Sequence, residues 1–412
     1  MSWWLARVPW ARNMGAQGPD FRTWESTNLI GLGRSQRFAE WNTGEGLRRV
    51  CRPSAPALSF LRQPMSPKPS SRVASSASTS RGFDKELAEL EALAESLRAN
   101  PTLDAATVEH LRKSLSHRNN FIVSKAAKLV ADAEIFALLP EVLAAFDRFF
   151  ADAAKTDPKC WAKDAVAKTL VKLEHRQKDA YLRGLRHHQM EASWGPPVDS
   201  AAALRGTCAH ALVDCPGISD ADLLTILLEP LTDADKTVRM EAARAIAQVG
   251  GVSAALILRL RALLGNDEPE VLGAVYSALL SLEGAQAIPL VAGYLKEGGD
   301  LAAEAAFALA DMRSPEALAA LIERLRAGAD TWFTSVLLSA IALTRLPEAM
   351  NYLIAIVEQG DREAPQVIEA IGQTAPNAEV RARVQRAVEQ TGSQRLVQAF
   401  RQHLPAPQTE RG

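Results

Sequence analysis

The sequence predicts an all-α protein, an α-solenoid of about eight stacked helical hairpins. Three observations carry that prediction. The chain of 412 residues is 47% hydrophobic but only 6% aromatic, with alanine and leucine abundant. Both are strong helix formers, and alanine's small side chain lets helices approach closely. A short amphipathic string, "VRMEAARAIAQVG" from Val238, then recurs along the chain. Proline and glycine, finally, fall at the boundaries that such helices require.

The recurring string is found at Phe121 ("FIVSKAAKLVADA"), Trp161 ("WAKDAVAKTLVKL"), Leu204 ("LRGTCAHALVDC"), Val238, Val271 ("VLGAVYSALLSLEG"), Leu301 ("LAAEAAFALADMR"), Trp332 ("WFTSVLLSAIALTR") and Glu363 ("EAPQVIEAIGQTA"). Successive spacings are 40, 43, 34, 33, 30, 31 and 31 residues, the range of paired-helix repeats. A second apolar-periodic stretch follows most copies, as in "DADLLTILLEPL", "VSAALILRLRALL" and "PEALAALIERLRAG". Pro315 and Pro347 stand where a first turn has no use for an N–H, and Gly265, Gly298, Gly328 and Gly360 stand where a left-handed cap is wanted. Each unit is therefore a hairpin that buries its second face only by stacking on the next.

The wording of Asp235 to Gly250, "D-x-x-VR-x-x-A-x-x-A-I-x-x-V-G", resembles HEAT repeats, in particular the short bacterial type similar to phycobilisome-lyase-like repeats. The resemblance covers roughly residues 116–392 and implies an armadillo-type superhelix. The arginine of the repeat pattern has counterparts at Arg205 and Arg239, whereas Leu272, Ala302 and Phe333 stand in its place further on. An inter-repeat polar ladder is expected to be interrupted there. The repeat type specifies fold far better than function.

The flanks differ in composition. Residues 1–64 contain no lysine, nine arginines and five of the eight tryptophans, Trp3, Trp4, Trp10, Trp24 and Trp41. With no hydrophobic period, they read as a disordered segment or as an extension ahead of a start at Met65, a transit peptide being the competing reading. Without them the net charge moves from −1 to about −6, which speaks against general nucleic-acid affinity. Residues 65–82 read as a disordered Ser/Pro-rich tail, 83–115 as N-terminal capping helices, 116–392 as the solenoid, and 393–412 as a C-terminal capping helix and tail. "SQRLVQAFRQHL" supplies that last helix, with Leu396, Val397, Phe400 and Leu404 on its inner side. No secretory core and no run of about 18 apolar residues is expected, so no membrane partner is called for. Four cysteines without paired spacing suit a reducing compartment, and the cytoplasm is the expected location.

The candidate functional patch is the long link from Leu182 to His210, which breaks the period by about ten residues. His187, His188, Gln189, Glu191, Trp194 and Asp199 are its expected partner-binding residues, since loops on a rigid scaffold often carry function. The competing structural reading folds Trp194 back over neighbouring helix ends. A metal site from His187, His188, Glu191, Cys208, His210 and Cys215 is a further alternative, but no paired-cysteine or His-Glu-x-x-His wording supports it. The HEAT resemblance brings enzyme alternatives too. Deoxyhypusine-hydroxylase-like iron chemistry needs His-Glu pairs, which this sequence lacks; a DNA-glycosylase-like reading would use Trp161, Asp164 and Arg205; a bilin-lyase-like reading has no diagnostic residue here. The expected function is a non-enzymatic scaffold or adaptor, without cofactor, binding a protein partner through its second helices and the 182–199 loop.

Overall fold

In the computed structural model, residues 74–100 and 103–405 are described, with side chains from residue 82 onward. The expectations for residues 1–64, and for the tail beyond 405, lie outside the described residues. Two helices lead in, α1 (Ala74–Ala99) and α2 (Ala105–Leu115). The first begins at Ala74, inside the segment expected to be a disordered tail. "ASSASTS" there contains neither proline nor glycine, so nothing in it stops the helix.

Eight hairpins follow. They are α3 (Asn120–Asp132) with α4 (Leu139–Arg148), then, after the short α5 (Ala153–Thr156), α6 (Trp161–Lys172) with α7 (Lys178–Leu185), α8 (Ala202–Val213) with α9 (Asp220–Leu231), and α10 (Lys236–Val249) with α11 (Gly251–Leu264). The remaining four are α12 (Pro269–Glu283) with α13 (Ile288–Tyr294), α14 (Gly299–Asp311) with α15 (Pro315–Arg326), α16 (Thr331–Leu343) with α17 (Pro347–Gln359), and α18 (Ala364–Gln373) with α19 (Ala378–Thr391). All eight first helices coincide with the recurring strings. α7 and α19 complete the two hairpins whose second helix the sequence pattern left unmarked.

The ends of these helices show why they form. Asn119, Ser219, Asp235, Ser314, Asp330 and Asn377 are N-caps whose side chains accept an N–H from two or three residues ahead. Such caps each contribute about 1 kcal/mol. Pro315 and Pro347 occupy the first helical position, and Gly265 and Gly360 close α11 and α17 in the left-handed conformation.

First helices stack on first helices from α3 through α18, and from α6 onward each also packs on the second helix of the preceding hairpin. They are thus covered on three sides, and small side chains make that possible. In α14, Ala302, Ala303, Ala305, Ala306, Ala308 and Ala310 are all buried between α12 and α16. α20 (Gln394–His403) stacks on α18 as a further first helix would, burying Leu396 and, just beyond its end, Leu404.

One stretch among the described residues, Pro269–Tyr294, is long and apolar enough to cross a membrane by length and composition, with mean hydropathy 1.4. This corrects the expectation that no such run exists. It is interrupted at Gly284, with φ +61°, and α12 within it lies packed between α10 and α14. Its apolar character is used in the solenoid core: Val271 to Tyr276 and Ala278 to Leu280 are all buried.

Candidate functional site

The second to fourth hairpins are joined by buried charge. Arg205 on α8, 2% exposed, donates from Nε and Nη2 to Asp233 of the following link at 2.8 and 3.0 Å, and from Nη1 to Asp199 at 2.7 Å. One repeat on, Arg239 pairs with Asp267 at 3.0 Å and with Glu268, while its Nη1 donates to the carbonyl oxygen of Asp233 at 2.6 Å. One repeat earlier the same helix position is Lys163, fully buried, whose Nζ lies 3.0 Å from Asp157 Oδ2. Asp157 also accepts from the amides of Ala162 and Lys163 and from Asn120 Nδ2. Fully hydrogen-bonded ions are the condition under which such burial is tolerated. Beyond Asp267 the equivalent places are Leu272 and Ala302, both buried and apolar, so the ladder stops there.

The irregular link is built on this ladder. Met190–Glu191 (β1) and Val198–Asp199 (β2) pair antiparallel as a short hairpin between α7 and α8. Its base is fastened at several points. Gln189, 3% exposed, donates from Nε2 to the Asp157 carbonyl at 2.8 Å and to Glu191 at 2.6 Å. Glu191 Oε1 also accepts from Lys159 N and Ser200 Oγ. Burial pushes its carboxyl up, but the hydrogen bonds from Ser200, Gln189 and Lys159 overcome this and hold it below the ordinary range. Asp199 accepts from the amides of Gln189 and Ala201, from His188 and from Arg205. Against the opposing effect of burial, those bonds bring its pKa down to about 2.

Five of the six expected partner-binding residues are brought together here, but chiefly as mutual supports. His187 sits half-buried, edge-on to Phe150 with ring centroids 4.9 Å apart and 3.2 Å from Gln189 Oε1; burial lowers its pKa. Gln189, Glu191 Oε1 and Asp199 are engaged in hydrogen bonds, and His188 is exposed beside Asp199. Trp194 alone stands apart. It does not fold back over helix ends: at the tip of the hairpin it is fully exposed, at 103% of its reference area. Met190 and Val198 on the strands below it are also exposed, at 59% and 56%. These two flanking residues were absent from the sequence-based set; Met190 stands opposite Asp199 and Val198 opposite Glu191, so they lie on the two faces of the hairpin and no single outward-facing alternation marked them.

The alternatives find less support in the geometry. Among the described residues no group of three His, Cys, Asp or Glu side chains converges as a metal site would require. Cys208 is fully buried in α8, and His210 pairs with Glu241 at 2.6 Å on the next repeat. Cys160, Cys208 and Cys215 are free and buried, and desolvation drives the Cys160 thiol up to about 12, which disfavours a reactive thiolate. The glycosylase-like set has its charged groups engaged: Arg205 is spent in the ladder, and Asp164 pairs with Lys168 at 2.6 Å. A cleft of about 250 Å³ lies where α16 to α19 turn, and its lining, Arg345, Met350, Thr374, Ala375, Pro376, Asn377 and Val380, holds no carboxylate, histidine or cysteine.

Comparison with known proteins agrees with this architecture. Residues 224–306 match the model of the HEAT repeats family, a stretch running from α9 into α14. No curated protein matches the chain. Two solved structures, both described as crystal structures of engineered proteins, share 18% and 20% identity with it. They cover 72% and 71% of this chain and 89% and 97% of their own, with TM-scores of 0.28 and 0.17. The matched stretch lies inside eight hairpins of one stacking pattern, so over residues 224–306 the chain carries HEAT repeats.

Proposed function

We propose that this protein is a non-enzymatic adaptor whose Trp194 hairpin anchors a protein partner. HEAT repeats are commonly protein-interaction scaffolds. The observation that carries the reading is the contrast within one loop: a base closed by hydrogen bonds to Asp157, Lys159, Ser200 and Arg205, and a tip with Trp194 in solvent, Met190 and Val198 being exposed on the strands below it. Such a tip is preorganised, so binding has little loop ordering to overcome. Tryptophan anchors at interface centres are typically worth about 2 kcal/mol or more. The free buried cysteines suit a reducing compartment, and a cytoplasmic site of action belongs to the same proposal.

Affinity capture with the full chain, beside a Trp194→Ala variant of equal helicity, tests it. A partner held by the parent and lost by the variant is the expected result. Equal recovery would remove the hairpin from the reading. A metal ion or defined small molecule that raised the melting temperature by mass action would count against the adaptor role itself.

A further inference from the structure

The fourth hairpin carries an apolar surface that the core does not use. On α11, Val252, Leu256, Leu260, Leu263 and Leu264 are 78%, 62%, 60%, 67% and 55% exposed. Their spacing puts them on one stripe, opposite Ala254, Ala255, Leu258 and Ala262, which are buried. From Val252 to Leu264 the stripe runs about 18 Å at 1.5 Å per residue. Contiguous apolar patches of this kind on a folded chain mark interaction sites more often than scattered leucines do.

The neighbouring second helices shape what could lie on it. On one side α9 packs beside α11 and exposes Asp222, Thr225, Leu228 and Glu229. On the other side is α13, only seven residues long, which exposes Pro289 and Gly293. A side chain at Gly293 would meet nothing within 4 Å. This low strip lies between the α11 leucines and α15, which exposes Glu316, Ala319 and Glu323. Among the described residues Glu229, Glu316 and Glu323 enter no ion pair. The two arginines of α11 are already neutralised, Arg259 by Glu283 at 2.5 Å and Arg261 by Asp267. Lys296 and Arg326 are the nearby basic exceptions. The result is an apolar ridge and shallow groove with acidic side chains on both borders.

We infer that this surface, distinct from the Trp194 hairpin, binds an amphipathic helix of a partner protein whose apolar stripe is flanked by lysine and arginine. Apolar contact along α11 supplies affinity in the manner of helix-in-groove recognition. The carboxylates on α9 and α15 select the basic flanks and disfavour two other occupants. A second copy packed antiparallel on α11 would set α9 against α9, acid against acid. An anionic lipid surface would meet the same carboxylates.

The test uses the full chain and a synthetic helical peptide of about 18 residues, leucines along one stripe and lysines on both flanks. The parent should bind it with an affinity that falls as salt rises. Leu256→Ser with Leu260→Ser should weaken binding more than about tenfold, and Trp194→Ala should leave it unchanged. The same peptide with glutamates for lysines should not bind. Because the two leucines are exposed, the parent's melting temperature should be retained; Val252→Ser with Leu263→Ser is the second variant if it is not. Equal binding of the lysine peptide to parent and leucine variants overturns the inference, as does equal binding of the glutamate peptide. A parent that sediments as a dimer and becomes monomeric in the leucine variant would assign the stripe to self-association. Leucine-dependent flotation with phosphatidylserine vesicles would assign it to membrane.

Discussion

Lys163 and Asp157 form a fully buried ion pair, Nζ to Oδ2 3.0 Å, at the helix position held by Arg205 and Arg239 in the next two repeats. The Lys163 Nζ donates in addition to the Phe149 carbonyl, so the pair joins the first hairpin to the second. Removing one partner of such a pair strands the other. Lys163→Met is expected to cost about 3 kcal/mol, read as an earlier urea transition of the N-terminal repeats. The double variant Lys163→Met, Asp157→Asn should lose less than the sum of the two single changes, because neither charge is then left alone. Strict additivity would show that the pair is not coupled.

Arg205 couples the hairpin to the ladder, since one guanidinium serves Asp233, Asp199 and the His187 carbonyl. Lysine cannot reproduce that fork. Arg205→Lys is therefore expected to destabilise the chain by about 2 kcal/mol and also to weaken capture of a Trp194-dependent partner. Arg239→Lys should cost stability comparably but leave that capture intact. Measuring both variants for unfolding and for partner binding separates the two effects.

The acid limb reports the same network. Asp199 has its folded pKa near 2, below its ordinary value of 3.8. Its contribution is thus present above about pH 4 and disappears as pH falls towards 2. The expected outcome is a shift of the Gln189 amide proton, which Asp199 accepts, over that interval. In Arg205→Lys the midpoint should move upward, because one of the groups that lowers the pKa is weakened. An unchanged midpoint would show that Arg205 contributes nothing to it.

What the sequence disclosed and what it hid follow from locality. The first helices were legible because caps, alanine periodicity and punctuating proline or glycine act within a few residues of one another. Lys163 was not read as the counterpart of Arg205, because the longer second unit shifts the register and the pattern was sought as arginine. The fate of Trp194 depended on Gln189 and Glu191 reaching Asp157 and Lys159, contacts with no local signature. The α11 stripe was hidden for a different reason. "VSAALILRLRALL" is apolar on nearly all sides, and such a helix reads as buried until its neighbours are seen to leave one face open.

Glu304 on α14 offers a second titration, of opposite sign. Burial, then repulsion from Glu270 and Asp300, raises its pKa from 4.5 to about 7. The side chain lies against Gly273 of α12, where no Cβ competes for the space. A raised carboxyl means that the folded state holds the proton more tightly, so stability is greatest below about pH 4.5 and declines as pH rises through 7. Glu304→Gln should therefore melt with the parent near pH 4 and above it at pH 8, by about 1–2 kcal/mol after allowing for solvent screening. A parent and variant that differ equally at both pH values would assign the effect to packing instead of charge.

The turns inside the hairpins suggest where stability can be gained. Several of them carry positive φ, and the residue differs from repeat to repeat: Gly250 with Gly251 in the fourth, Gly284 in the fifth, and Arg313 with φ +48°, Arg345 with φ +56° and Ala375 with φ +49° in the last three. A side chain in the left-handed region costs roughly 1 kcal/mol that glycine avoids, partly offset by glycine's freer unfolded chain. Arg313 is exposed and Arg345 makes only a 3.4 Å contact to the Thr374 carbonyl. Arg313→Gly is thus expected to stabilise its repeat by about 0.5 kcal/mol, with a smaller gain for Arg345→Gly. Gly250→Ala reverses the logic, because φ +81° with ψ −172° suits glycine alone, and should cost about 1–3 kcal/mol. Opposite shifts of the urea midpoint in Arg313→Gly and Gly250→Ala would establish that positive φ in these turns is carried with strain at Arg313 and without it at Gly250.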